Sequence, residues 1–226
     1  QLTIDAHYYN KLDIEGFSRM MKDPSYCYKF YWLEAIVQII SENKTEATYD
    51  EIIDEMISNA WYSVLEFHVH LSGIWGDGEI KDSLEKAVLK LHKLSDLPSN
   101  ASKIEIKNKI AEYDKELHGE KMTLTQNVPY KALSGFANRY SERIDLNSSA
   151  GRMMAYYNRI NGTESPLPYT FGDQKGLDRK IIFHESWIKM IQDNMVAILG
   201  WIQYEKVRWL QNNNPEVPGL VYKLAP

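Results

Sequence analysis

The chain has 226 residues, of which 44% are hydrophobic and 25% are charged, and its formal net charge is −5. This composition supports a buried core and excludes a disordered chain, because disordered segments carry too few apolar residues to offset the loss of chain entropy. No run of about 18 apolar residues is present, and the first residues lack the basic flank and apolar core of a secretion signal. The single cysteine, Cys27, excludes an internal disulfide and a cysteine metal cluster. We therefore expect a cytoplasmic protein with no membrane contact.

The negative charge is unevenly distributed along the chain. Residues 1–120 hold 13 Lys and Arg against 22 Asp and Glu, whereas residues 121–226 hold 13 against 9. The basic second half is electrostatically compatible with an anionic partner, whereas a uniformly acidic chain would repel one. We divide the chain accordingly into an acidic helical half (1–120), a basic and aromatic half (121–214) and a linker or strap (215–226). The two halves are expected to pack as one domain.

In the first half, apolar residues recur three or four positions apart, which predicts a series of helices. A short helix is predicted over residues 15–22, and a strongly apolar core helix runs from residue 25 to residue 43. A polar connector over residues 44–47 follows. Thr48 and Glu51 then have the spacing of a capping box, in which each side chain binds a free backbone N–H of the other residue. A further apolar helix is therefore expected to begin there.

The two apolar helices that flank this connector fit two known motifs. Helices joined by about five polar residues occur in DNA-binding helix-turn-helix motifs and in antiparallel helical hairpins. We favour the hairpin as the more general arrangement, and the helix-turn-helix remains the alternative.

Two more helices are predicted before residue 120. Residues 79–95 form an amphipathic helix whose leucines, alanine and valine face inward. Ser102 and Glu105 form a second capping box, which opens a charged and peripheral helix over residues 103–118. Gly119 is expected at the position after the end of that helix, because glycine readily adopts the left-handed conformation required there.

The second half contains the only β signal and the longest predicted helix. Short helices are predicted over residues 130–140 and 150–160, followed by two strands, PLPYTF and KIIF, around the Gly-containing turn GDQKGLDR. A single long helix over residues 184–214 ends at Pro215, and much of the chain is expected to pack against it. The predicted fold is mainly α, a multi-helix bundle with one short β-hairpin before a long C-terminal helix.

The histidine and carboxylate pairs of the first half do not form convincing sites. His68 and His70 would share a face on a strand but not on a helix, and no third ligand is near, whereas zinc sites normally have three or four ligands. We interpret them as ordinary residues at a helix end, and Cys27 as a small core residue. The carboxylates spaced four residues apart are interpreted as a solvated helix face, namely Asp50 with Asp54 and Glu51 with Glu55.

The strongest candidate site lies between residues 139 and 180, where basic and aromatic residues alternate. Cationic side chains neutralise phosphates, and aromatic rings stack on bases. A solvated surface over core tyrosines would have the same pattern, so that interpretation stays open. We predict no catalytic and no metal-binding residue. The candidate nucleic-acid-binding residues are Arg139, Arg143, Arg152, Tyr156, Arg159, Lys175, Arg179 and Lys180.

Four stretches of the chain carry a family resemblance. They read YKFYWLEAIVQII, YDEIIDEMISNAWYSV, NVPYKALSGF and WIQYEKVRWLQNNNPEVPGLVYKL, between residues 28 and 224. Together they resemble the N-terminal region of bacterial HNH-endonuclease-domain proteins. The resemblance implies that an HNH nuclease module follows such a region. That module is not in these residues, so the resemblance assigns no catalytic residue here and implies a divalent metal only for the module.

The resemblance and the basic second half together predict a domain that engages and positions DNA for an HNH endonuclease. The strap over residues 215–226 would lead into the nuclease module. The alternative is a helical domain that binds protein or associates with itself, without a nucleic-acid role. That alternative is suggested by the acidic first half and by three aromatic residues that could be exposed: Tyr62, Trp75 and Trp209.

Overall fold

The computed structural model describes residues 2–22, 24, 27–73, 78–80, 82–163 and 165–224. It is mainly α-helical with one small antiparallel sheet, which confirms the predicted fold class. None of the helices in these ranges is both long and apolar enough to cross a membrane. The α-helices, numbered in chain order, are α1 (Ile14–Arg19), α2 (Tyr28–Ser41), α3 (Tyr49–Phe67), α4 (Ser83–Ser95), α5 (Lys103–Glu112), α6 (Asp114–Thr125), α7 (Val128–Lys131), α8 (Ala150–Thr163), α9 (Glu185–Asp193), α10 (Met195–Asn213) and α11 (Leu220–Lys223).

The sheet has three strands, β1 (Glu46–Thr48), β2 (Tyr169–Phe171) and β3 (Lys180–Phe183). The central strand β3 pairs antiparallel with both neighbours, so the predicted hairpin of β2 and β3 is confirmed. The connector before α3 is not merely a polar turn, because it supplies β1, whose Ala47 is buried opposite Ile181. A strand of three residues is too short to show a period-two pattern, and its pairing partner is far away in sequence.

Helix α2 occupies the centre of the fold, where we expected the C-terminal helix. It contacts α3, α7, α9 and α10, and apolar side chains surround its axis on almost every side. A helix that is hydrophobic all round must be buried. Helix α10 instead packs on α2 with one face only, and its opposite face carries the exposed side chains of Val196 and Tyr204.

Buried tryptophans fasten the helices to the loops around them. The indole N–H of Trp61 donates to the carbonyl of Pro98, and that of Trp187 donates to the carbonyl of Pro166, each at 2.9 Å. The indole N–H of Trp32 donates to the hydroxyl of Tyr169 at 2.9 Å. These three tryptophans therefore contribute apolar area without leaving their indole N–H groups unpaired.

The predicted long C-terminal helix is two helices, α9 and α10, separated by Asn194. Its backbone leaves the helical conformation at φ −122° and ψ 25°. Its side-chain amide donates to the carbonyl of Met190 at 2.8 Å, four residues earlier. An asparagine side chain that binds a nearby backbone carbonyl competes with the helical hydrogen bonds, which accounts for a break that apolar periodicity does not reveal.

The helix predicted over residues 103–118 is also divided, and it ends later than expected. Tyr113, at φ −106° and ψ 24°, separates α5 from α6, and this break lets α5 contact α3 while α6 contacts α4. Gly119 lies inside α6 rather than after it, and a Cβ there would meet no atom within 4 Å. The helix predicted over residues 130–140 is the short α7 followed by a 3-10 turn (Ala132–Phe136).

Candidate nucleic-acid interface

The loop before α8 is held in one conformation by Asn138. Its backbone is left-handed, at φ 61°. Its side-chain amide donates to the carbonyl of Ile144 at 3.0 Å, and its side-chain oxygen accepts from the Ile144 N–H at 2.7 Å. Asparagine tolerates this conformation better than most residues, and two reciprocal bonds close the loop. The loop thereby presents Arg143 beside the start of α8.

Tyr156 links this loop to α8 from the side that faces the core. Its side chain is fully buried, and its hydroxyl accepts from the Asn138 N–H and donates to the carbonyl of Glu142, both at 3.1 Å. We predicted this tyrosine as a nucleic-acid contact from its helical spacing with Arg152 and Arg159. The structure places its ring in the core, where it is not available for stacking on a base.

An open polar groove of about 710 Å³ lies between this loop and the first turns of α8. We call it the arginine groove, and define it by Arg143, Arg152 and Arg159 with the loop residues between Glu142 and Ser149. Three guanidinium groups and the carboxylates of Glu142 and Asp145 line it, which leaves a formal excess of one positive charge. The sequence pattern identified these arginines, but not the acidic groups among them.

The three arginines differ in the ion-pair and hydrogen-bond partners of their guanidinium groups. Arg159 forms an ion pair with Glu142 at 2.6 Å, and the same hydrogen bond raises the pKa of Arg159. Arg143 donates to the carbonyl of Asn138 at 2.8 Å and forms no ion pair with any described residue. Arg152 is exposed, and its guanidinium has no partner among the described residues. Arg143 and Arg152 are therefore the positive charges available to an anion.

Arg139 lies apart from this groove and is bound to the N-terminal segment. It donates from Nε and Nη2 to the carboxylate of Asp13 at 2.8 and 2.9 Å, and it also contacts Glu15. Asp13 in turn accepts from the Gly16 N–H at 2.9 Å and so caps α1. Arg139 therefore joins α1 to the chain before α8, and its charge is matched.

The basic residues of the hairpin do not line the arginine groove either. Lys180 forms an ion pair with Glu46 of β1 at 3.3 Å, and Arg179 donates to the carbonyl of Gly172 at 2.6 Å, which braces the turn. Lys175 is exposed at the tip, and its ammonium has no partner in the described residues. The predicted cluster of eight residues is thus spread over four places: the arginine groove, the contact of Arg139 with α1, the hairpin, and the core position of Tyr156.

Three of the four carboxylates that we interpreted as a solvated face of α3 contact lysines of other helices, so that interpretation was wrong for them, whereas Glu51 is exposed as expected. The carboxylate of Glu55 is buried and binds the ammonium groups of Lys103 and Lys107 of α5. Asp50 and Asp54 face the buried ammonium of Lys121 from α6. The basic partners lie far away in sequence, so helical periodicity assigned this side of α3 to solvent.

The histidine pair lies at the end of α3. His68 adopts the left-handed conformation that ends the helix, and Nδ1 of His70 lies 3.0 Å from the buried carboxylate of Glu85. Within the described ranges, no group of three or more histidine, cysteine or acidic side chains is arranged to hold a metal ion.

Comparison of this chain with protein-family models, with curated proteins and with solved structures finds no match.

Proposed function

We propose that this chain is a helical domain that binds the phosphate backbone of DNA through the arginine groove and positions it for an HNH nuclease module. Two arginines, Arg143 and Arg152, line one groove and have no acidic partner in the part of the chain that the structure describes, and this observation carries the proposal. The basic balance of residues 121–226 supports it as well. The resemblance to HNH-endonuclease-domain proteins supplies the nuclease part, for which no residue of this chain is assigned a catalytic role.

The position of Arg152 suits an anion. It lies in the first turn of α8, where the helix dipole leaves a partial positive charge, although its own backbone N–H already donates to the Ser149 hydroxyl at 3.4 Å. A phosphate in the groove would face this helix end, the guanidinium of Arg152 and that of Arg143. Contacts of this kind fix the orientation of the duplex and carry no sequence information. The proposed role is therefore sequence-independent positioning.

The test compares the wild type with an Arg143→Ala/Arg152→Ala variant by fluorescence anisotropy of a labelled duplex, between about 50 and 200 mM salt. Each lost phosphate contact should reduce the slope of log affinity against log salt by about one. The matched control removes two exposed charges elsewhere, in Lys93→Ala/Lys115→Ala. Equal affinity and slope in the wild type and the arginine variant would remove the groove from the contact.

The nuclease part of the proposal needs its own experiment. The natural gene product, assayed with Mg²⁺ and supercoiled DNA, should cleave it if an HNH module accompanies this domain. The Arg143→Ala/Arg152→Ala change in that product should then weaken cleavage through the affinity for DNA, and saturating DNA should restore the rate. Absence of cleavage by the gene product would leave DNA binding standing and would refute the nuclease part.

Self-association is the alternative function, and the aromatic residues that suggested it give it little support. Tyr62 is 43% exposed, but Trp209 is half-buried and donates to the carbonyl of Pro24 at 3.1 Å. Trp75 lies outside the described residues. Sedimentation velocity over a hundredfold range of concentration tests this alternative, and a constant monomer mass would argue against it.

A further inference from the structure

A second groove runs along the outer face of α10 and is independent of the arginine groove. It has a volume of about 500 Å³, within the range of ligand pockets, and its walls are mainly apolar. We call it the C-terminal groove, and define it by Gly200, Tyr204, Val207 and Arg208 of α10 with Val221 and Leu224 of the strap. Gly200 forms an open floor, because a Cβ there would meet no atom within 4 Å.

The far wall of the C-terminal groove is fastened by two glutamines of α10. Gln203 donates to the carbonyl of Leu224 at 2.8 Å. Gln211 donates to the carbonyl of Val217 at 2.8 Å and accepts from the Leu220 N–H at 2.8 Å. These bonds hold the strap antiparallel to α10, so the groove is built into the fold and does not depend on a ligand to form.

The C-terminal groove is apolar at one end and cationic at the other. Gly200 and Tyr204 lie at the apolar end, and Arg208 lies two turns further along the helix from Gly200, beside Asn212. Arg208 is exposed, and its guanidinium has no ion-pair or hydrogen-bond partner in the described chain. An apolar channel with one unpaired guanidinium is complementary to a molecule with an apolar tail and an anionic head.

The size of the groove favours a small molecule over a second protein. The twelve residues from Gly200 to Gln211 span roughly 16 Å at the helical rise, and a single helix is roughly 10 Å wide. The resulting face, on the order of 160 Å², is far below the roughly 800 Å² that each partner contributes to a stable protein interface. We propose that the C-terminal groove binds a free medium-chain carboxylate, with its tail over Gly200 and Tyr204 and its carboxylate on Arg208.

The test is isothermal titration calorimetry with dodecanoate below its micelle concentration, together with dodecyltrimethylammonium, which has the same tail and the opposite charge. Saturable one-to-one binding of dodecanoate is expected, with at least tenfold weaker binding of the cation. Arg208→Gln should weaken dodecanoate binding by about tenfold, the effect of one hydrogen bond to a charged group. Gly200→Leu should abolish it, because the new side chain occupies the floor of the groove from a Cβ position that meets no atom within 4 Å.

Gly119→Leu is the matched control, since Gly119 is also a helical glycine with open space around its missing Cβ, and it should bind dodecanoate as the wild type does. Circular dichroism of all variants establishes that they fold. Absence of saturable binding, equal affinity for the cation, or unchanged binding by Gly200→Leu would each overturn the proposal. A dimer that Gly200→Leu dissociates in sedimentation velocity would also overturn it, because the groove would then be covered by a second copy.

Discussion

The ammonium of Lys121 lies 2.8 Å from the carboxylate of Asp54, and the lysine is completely buried between α3 and α6. The same ammonium donates to Asp50 at 2.9 Å and to Asp114 at 2.7 Å. Asp54 Oδ1 is close to it but is not aligned as a hydrogen-bond acceptor, and it has no other partner within the described chain. One cation therefore serves three carboxylates, and Asp54 is the least satisfied of them.

Replacement of Lys121 by methionine should destabilise the fold. The change keeps the buried length of the side chain but leaves three carboxylates facing one another without a cation. We expect the free energy of unfolding to fall by about 3 kcal/mol, the low end for a broken buried ion pair, since Asp50 and Asp114 are partly solvated. Urea denaturation measures the change. Lys115→Met, on the exposed side of the same helix, is the control, and an equal loss in both variants would contradict this role.

Asp54 should make stability depend on pH. Burial raises the pKa of Asp54 from 3.8 to about 6, because its share of one ammonium does not offset the loss of hydration. Between these values the native state binds more protons than the unfolded state, so the free energy of unfolding should fall as pH rises from about 4 to about 6.

The Asp54→Asn variant should show a smaller fall over the same interval in urea denaturation at constant ionic strength. Asp82 also has a pKa raised to about 6 by burial and contributes equally to both proteins, so the difference between them isolates Asp54. Parallel curves for the wild type and Asp54→Asn would show that Asp54 titrates normally.

Arg139 should act on stability and not on DNA. Burial alone would raise the pKa of Asp13, but hydrogen bonds from Arg139, the Gly16 N–H and Tyr140 hold it below its ordinary value. Arg139→Ala should lower the free energy of unfolding by about 1–2 kcal/mol through the loss of charged hydrogen bonds. The salt slope of DNA binding should stay at the wild-type value. A reduced slope at full stability would place Arg139 in the DNA contact instead.

Gly135 is required by the close approach of two backbones. A Cβ at this position would lie 2.5 Å from the carbonyl oxygen of Gly16 and 2.8 Å from the backbone nitrogen of Met20, both in or beside α1. Gly135→Ala should therefore destabilise by about 1–3 kcal/mol, because backbone must move. Gly119→Ala, in the open, should stabilise by up to about 1 kcal/mol through helix propensity. Thermal unfolding of the two variants should shift in opposite directions, and a shared direction would refute the steric argument.

Local interactions were readable from the sequence because their partners lie within four residues. Both predicted capping boxes are present: Thr48 accepts from the Glu51 N–H at 3.1 Å, and Ser102 accepts from the Glu105 N–H at 3.2 Å. Apolar periodicity likewise located most helices, since burial of one face is a property of the helix itself. It did not locate the break at Asn194, which depends on a single side-chain bond to the backbone.

Contacts between residues that are distant in the sequence could not be predicted at the candidate sites. Composition and spacing identified a basic, aromatic region and put Arg152 and Arg159 on one face of a helix, but the structure alone brings Arg143 into the same groove. They could not assign Arg139 to Asp13, which is 126 residues earlier. Nor could they find the ion pair of Lys206 with Glu34, buried at 2.6 Å between α10 and α2 and 172 residues apart.

The sequence by itself thus determined the mainly α fold class, the capped N-termini of two helices and the acidic and basic charge balance of the two halves. These properties follow from neighbouring residues and from composition. Only the tertiary structure decided which charges are neutralised and which are free. That distinction depends on the distances between side chains that packing brings together. The sequence records which residues are charged but not which of them are neighbours in the fold.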